Sequence, residues 1–154
     1  MSEKSQNGWT ASKDPNEIHI KAFPVEGTHF SLRCQATAGV ILAAFAAEFN
    51  TLIEKLDGVT FDDWGYVYRP VRGQTTGLSN HASGTAIDLN SVKHPLGKKH
   101  TFTAPQEIFL KALVKKYGLR WGGSYTSRTD EMHFEIIETP AQVKLRINKL
   151  GLNK

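Results

Sequence analysis

Apolar residues first gather at helical spacing in the second quarter of the chain, where Ile41, Phe45, Phe49, Leu52 and Leu56 recur three and four positions apart. This pattern predicts a helix over residues 38–56, stopped by Asp57-Gly58. Two later helices announce their starts. Thr103-Ala-Pro-Gln106 and Thr139-Pro-Ala-Gln142 each place a threonine three residues before a glutamine, with proline in the first turn. Such a pair caps otherwise unpaired backbone donors reciprocally. The helices should run to about Tyr117-Gly118 and Leu150-Gly151.

Residues 18–20, 30–32, 64–69, 85–90, 119–121 and 132–138 read as strands. Side chains alternate with period two. Ile87 and Leu89 therefore point one way, and Ala86, Asp88 and Asn90 the other. Likewise Met132, Phe134 and Ile136 oppose His133, Glu135 and Ile137. Burying the apolar sets under helices would leave Asp88 and His133 on the open face of one sheet. The elements mix without regular alternation, so the expected class is α+β: a small, mainly antiparallel sheet with helices packed on one face and room for a metal site on the other. Residues 1–16 read as an irregular arm with a turn at Lys13-Asp14-Pro15-Asn16. No repeat or linker divides residues 1–154, which read as a single domain.

Composition narrows the choice of partner. The net charge of +4 is mild, and no basic arm is interleaved with aromatics, so no nucleic-acid partner is expected. Lys93-His94 and Lys98-Lys99-His100 read as a solvated loop. The first residues lack the apolar core of a signal peptide. The most apolar segment, residues 40–49, is too short to span a bilayer and carries Glu48. A soluble monomer, made in the cytoplasm without membrane insertion, is the expectation. Any substrate beyond the membrane would then be reached only after release. The one cysteine, Cys34, excludes a disulfide framework or a Cys-rich zinc cluster and reads as a buried thiol.

A zinc site in this chain must therefore use histidine and carboxylate, and catalytic sites keep three protein ligands plus water. His81 and Asp88 would lie roughly 10 Å apart along a helix, too far to share an ion. A loop carrying His81, a turn at Ser83-Gly84 and a strand carrying Asp88 can bring them together. Asp130-Glu-Met-His133-Phe-Glu135 adds a third donor. Asp130 must then sit in the loop before the strand, where it could reach over the metal. On these residues alone, a loop histidine, a solvated aspartate and a core histidine remain open.

Taken jointly, Ser79-x-His81 through Asp88 and Asp130-x-x-His133 resemble the D-alanyl-D-alanine carboxypeptidase and L-alanyl-D-glutamate peptidase family of zinc peptidases. That family includes bacterial wall enzymes, vancomycin-resistance D,D-dipeptidases and many phage endolysins. The resemblance covers roughly residues 60–138, with weaker likeness in Asn7-Gly-Trp9 and the first helix. It implies one Zn2+ ion held by His81, Asp88 and His133, with Asp130 as the catalytic carboxylate. Tyr68-Arg69-Pro70 resembles the family's strand-end arginine motif, which favours Arg69 over Arg72 beside the oxyanion or a substrate carboxylate. Trp121-Gly122-Gly123 resembles the turn leading into the last motif, and Ser124-Tyr125 stands where the family usually has tryptophan. Ser79, Trp121 and Tyr125 are candidates to support the site or touch substrate, and Glu135 to orient an imidazole. The implied substrate is peptidoglycan, cut by an endolysin-like enzyme of either the L-alanyl-D-glutamate or the D,D-carboxypeptidase type. Competing readings are serine chemistry from Ser79 or Ser83 beside His81, and a non-enzymatic zinc-stabilised wall-binding module of the kind the related hedgehog fold suggests.

Overall fold

The structure, a computed structural model, describes residues 3–57, 60–71 and 77–153. Its core is organised around α1 (Ala38–Leu52), which buries Ile41, Leu42, Phe45, Ala46 and Phe49. Phe45 and Phe49 meet Phe134 at centroid separations of 4.8 and 5.8 Å. The helix ends four residues before the predicted stop. Asn50 Oδ1 accepts the Leu56 N–H at 2.8 Å, and the Glu54 N–H turns back to Phe49 O. An asparagine near a helix end offers the backbone such an alternative partner. Leu56 is buried all the same while Leu52 is exposed, so the periodicity reported burial at four of its five positions and helical extent incorrectly. Gly58 of the expected stop lies outside the described residues.

α2 (Ala104–Lys116) and α3 (Pro140–Lys149) carry complete capping boxes at Thr103/Gln106 and Thr139/Gln142. Both pack on α1, burying Leu110, Leu113, Val143 and Ile147.

Among the described residues the single expected sheet is replaced by three small antiparallel ones. β1 (Glu3–Lys4) pairs with β2 (Thr10–Ala11), so the arm expected to be irregular contains a short hairpin. β3 (Ile20–Pro24) pairs with β4 (Ser31–Gln35), both displaced towards the C-terminus from their predicted positions. His19, taken as strand, has φ of 57°, which no extended ladder accommodates. β5 (Ala86–Asp88), β7 (His133–Ile136) and β6 (Leu119–Trp121) form the third sheet in that spatial order. Residues 64–69 make no ladder. They form a strap, with Trp64 bridged to Asp88, the Tyr66 N–H on Arg33 O at 2.7 Å and the Val67 N–H on His81 O at 3.2 Å.

Register in the third sheet sets Asp88 opposite His133, and both Ala86 and Arg120 opposite Glu135. Ile87, Phe134 and Trp121 consequently face the core, while Asp88, His133, Glu135 and Arg120 share the other face. That second face is not open as expected. Asp88 is 1% exposed and His133 7%: the strap bridges Asp88 at Trp64 and meets His81 at Gly65, while the N-terminal arm closes the far end of the sheet. Asn7 Nδ2 donates to Thr85 Oγ1 and Ile136 O at 2.8 and 2.9 Å, and Trp9 Nε1 donates to Glu138 O at 2.9 Å.

The loop read as solvated is also partly interior. Its lysines and His100 are exposed, but His94 is buried and stacked on Phe102 at 3.8 Å. Its Nε2 lies 2.7 Å from Glu54 Oε1, which also accepts from Asn90 Nδ2 at 2.6 Å. Cys34 is fully buried, which pushes its thiol up to about 12. Among the described residues no helix is long and apolar enough to cross a membrane.

Candidate metal centre and catalytic cleft

His81 lies in a short 3-10 turn, Asn80–Ser83, capped by Ser79, whose Oγ accepts the His81 N–H at 3.1 Å. Gly84 ends the turn at φ of 71°. A Cβ there would sit 2.6 Å from Gln35 N and run into Ile20, so only glycine lets the chain reverse this tightly against β4. The reversal feeds β5, which returns Asp88 beneath His81.

Three donors converge. His81 Nε2 and His133 Nδ1 lie 3.3 and 3.1 Å from Asp88 Oδ1, and the candidate ligand atoms of all three residues fall within 4.8 Å of one another. His81 Nδ1 sits 2.7 Å from Gly65 O. A carbonyl only accepts, so Nδ1 carries the proton and Nε2 presents its lone pair to the cluster. That Nε2 is buried and has no hydrogen-bond partner, a costly arrangement unless the lone pair binds something else. Tetrahedral zinc with bonds of 2.0–2.1 Å would separate neighbouring ligand atoms by about 3.3 Å. The two imidazoles and one carboxylate fit a zinc ion in donor type, spacing and lone-pair direction.

Electrostatics agree. Burial would raise the Asp88 pKa, yet the His81 and His133 imidazoles beside it hold the carboxyl far below its usual range. Burial would lower the His133 pKa, but Asp88 and Glu135 raise it to about 10. Glu135 Oε1 lies 2.6 Å from His133 Nε2, the ring nitrogen facing away from Asp88. The cluster thus demands positive charge beside Asp88, which a proton on His133 or a cation can meet.

A cleft of about 310 Å³ opens on the His133 side, and Asp130, Arg69, Tyr125, Arg120 and Arg128 are among its walls. Asp130 occupies the loop before β7, its N–H on Gly122 O at 3.0 Å and its carbonyl accepting the His133 N–H at 3.1 Å. A Cβ on Gly122 would run into the Asp130 carbonyl, so the Gly122-Gly123 turn clasps the Asp130 backbone at a distance no larger residue permits. Arg69 is half-buried, with Nη1 donating to Pro70 O at 3.2 Å. Tyr125 lies 6.2 Å from the His133 ring, and burial together with Glu135 raises its phenol pKa. Ser79 borders the cleft and is buried. Trp121 is not brought to the cleft: its ring packs against Phe102 and its Nε1 donates to Glu131 O at 2.9 Å. Arg72 lies outside the described residues.

Sequence reasoning missed the Gly65 carbonyl, Arg120 and Arg128. Arg120 had a signal, since it stands between core-facing Leu119 and Trp121 and alternation alone assigns it to the ligand face. Gly65 had none, because its part is played by a backbone atom.

An α+β protein with a buried His–Asp–His group beside a cleft holding a carboxylate is compatible with a metal-dependent hydrolase. Residues 72–136 match the family model described as D-alanyl-D-alanine carboxypeptidase. This match supports a peptidase acting on peptidoglycan-related substrates, and it spans His81, Asp88, Asp130 and His133. No curated protein and no solved structure matches the chain.

Proposed function

We propose that this chain is a zinc-dependent peptidase that hydrolyses a peptide bond in the stem peptides of bacterial peptidoglycan, as endolysins do. The observation carrying this reading is the buried His81–Asp88–His133 group, with the lone pair of His81 Nε2 turned into it, next to a cleft that Asp130 lines. Zinc held by His81 Nε2, Asp88 and His133 Nδ1 would supply Lewis acidity to the scissile carbonyl and to the attacking water.

The protein's own groups do the rest. Asp130 takes a proton from the water as it attacks and returns it to the departing amine. Glu135, against His133 Nε2, holds that imidazole with Nδ1 towards Asp88. The Gly65 carbonyl does the same for His81. Arg69, on the cleft wall, offsets charge developing on the carbonyl oxygen. A purely structural metal module has no use for a carboxylate in the position of Asp130, which favours the enzyme over a wall-binding module.

Zinc-loaded protein incubated with purified peptidoglycan should release new amino termini, and mass spectrometry of the products will identify the bond as L-Ala–D-Glu, D-Ala–D-Ala or a cross-bridge. Chelation should abolish release and added zinc restore it. Full activity in a metal-free preparation would end the zinc reading, and wall binding without new termini would end the peptidase reading.

A further inference from the structure

We propose that Arg120 and Arg128 form a carboxylate-binding subsite that selects substrates bearing a free carboxylate on a residue adjoining the scissile bond. The inference rests on the peptidase reading and adds the chemistry the cleft requires of its substrate.

Arg120 stands opposite Glu135 across the β6–β7 ladder, on the face that carries Asp88 and His133. A cross-strand Arg–Glu neighbour would ordinarily form an ion pair. Here Glu135 is drawn instead to His133 Nε2 at 2.6 Å, with Asn80 and Tyr125 as its further hydrogen-bonding neighbours. Among the described residues Arg120 and Arg128 make no ion pair. The Arg120 guanidinium instead lies over the Tyr125 ring at 5.5 Å, an arrangement that braces the group and leaves its N–H fork available.

Both guanidiniums line the same cleft as Asp130 and His133. Arg120 also borders an adjoining hollow of about 430 Å³ shared with Asn7 and Asn80. Neither guanidinium is tied to a carboxylate of the described residues, and a planar fork binds a carboxylate bidentately. One strand over and one pleat repeat along place the Arg120 backbone about 8 Å from that of His133. A side chain reaching back from there meets a substrate roughly one residue from the bond being cut.

The test uses a synthetic pentapeptide, L-Ala–γ-D-Glu–L-Lys–D-Ala–D-Ala, in three forms: unmodified, α-carboxamide at D-glutamate, and carboxamide at the C-terminus. Zinc-loaded wild-type protein should lose about tenfold or more in kcat/KM, carried by KM, for the form amidated beside the bond it cuts. Arg120→Gln and Arg128→Gln should lose that discrimination, the unmodified peptide falling towards the rate of its amide, with melting temperatures unchanged. Arg120→Lys should keep only part of it. Lys144→Gln, which removes the same charge from an exposed position on α3, should keep all of it. Equal cleavage of the three peptides by wild type, or full discrimination in the double variant, would overturn the subsite while leaving the peptidase intact. Cleavage of none, with new amino termini still released from peptidoglycan, would overturn the subsite alone, and cleavage of none with no termini released would remove both.

Discussion

Substituting Gly65 by alanine tests how the strap sets the metal centre. The strap passes so close to β4 that a Cβ at position 65 would stand 3.1 Å from the Arg33 carbonyl carbon and 3.2 Å from Cys34 Sγ, and would overlap the Arg33 carbonyl oxygen. The obstruction is backbone and cannot rotate away, so the strap must retreat by roughly 1 Å to regain van der Waals contact. Two hydrogen bonds resist that retreat: Tyr66 N–H to Arg33 O and His81 Nδ1–H to Gly65 O, each 2.7 Å. Lengthened by that much, the second is no longer a hydrogen bond. Overpacking of this kind costs about 1–3 kcal/mol of stability. Releasing an imidazole from the partner that sets its tautomer costs about 10- to 100-fold in metal affinity, or roughly 1.4–2.8 kcal/mol. Zinc competition against a chromophoric chelator, with thermal melts of the metal-free protein, reads both effects. Adding Cys34→Ala should not rescue the variant, since the sulfur is only a lesser part of the obstruction. Gly65→Ala with wild-type zinc affinity and wild-type melting temperature would refute this account of how His81 is held.

Other perturbations separate chemistry from architecture. Asp130→Asn should retain zinc by elemental analysis while turnover falls by about 10²–10⁴, because only the proton carrier is lost; a variant that also loses its zinc would make Asp130 a ligand. Glu54→Gln probes the hydrogen-bond network that joins Glu54, His94 and Asn90. Burial opposes ionisation of Glu54, but hydrogen bonds with His94 and Asn90 hold its pKa below the ordinary value. A depressed carboxyl contributes stability in full above its unfolded pKa of about 4.3 and loses it as pH falls through the lower folded value. The variant should therefore be about 1 kcal/mol less stable than wild type in urea at pH 7. The gap should close only well below pH 4.3, and a gap that widened on acidification would contradict the assignment.

Glu54 and Gly65 differ from the metal ligands in that no spaced motif marks them. The helix starts at Thr103 and Thr139 were legible because a capping box is written within four residues. The common face of Asp88 and His133 was legible because strand parity is a property of the backbone. With those two facts, the spacing of His81, Asp88, Asp130 and His133 still left a bland reading open, and it was their joint resemblance to a peptidase family that singled them out as the candidate site. The break after Leu52 was not legible, because it depends on whether Asn50 faces solvent or its own chain. Nor was the cover over the site, since the strap meets Asp88 and His81 through backbone atoms of Trp64, Gly65 and Val67.

The sequence by itself thus determined which side chains could bind a metal and which strand faces they occupy, since both follow from short-range periodicity and residue chemistry. Only the tertiary structure decided which nitrogen of His81 faces the cluster, that the 64–69 strap closes over the site, and that Arg120 and Arg128 line one cleft. Those outcomes are fixed by backbone carbonyls and close approaches between distant segments, and they arise only when the chain has closed on itself.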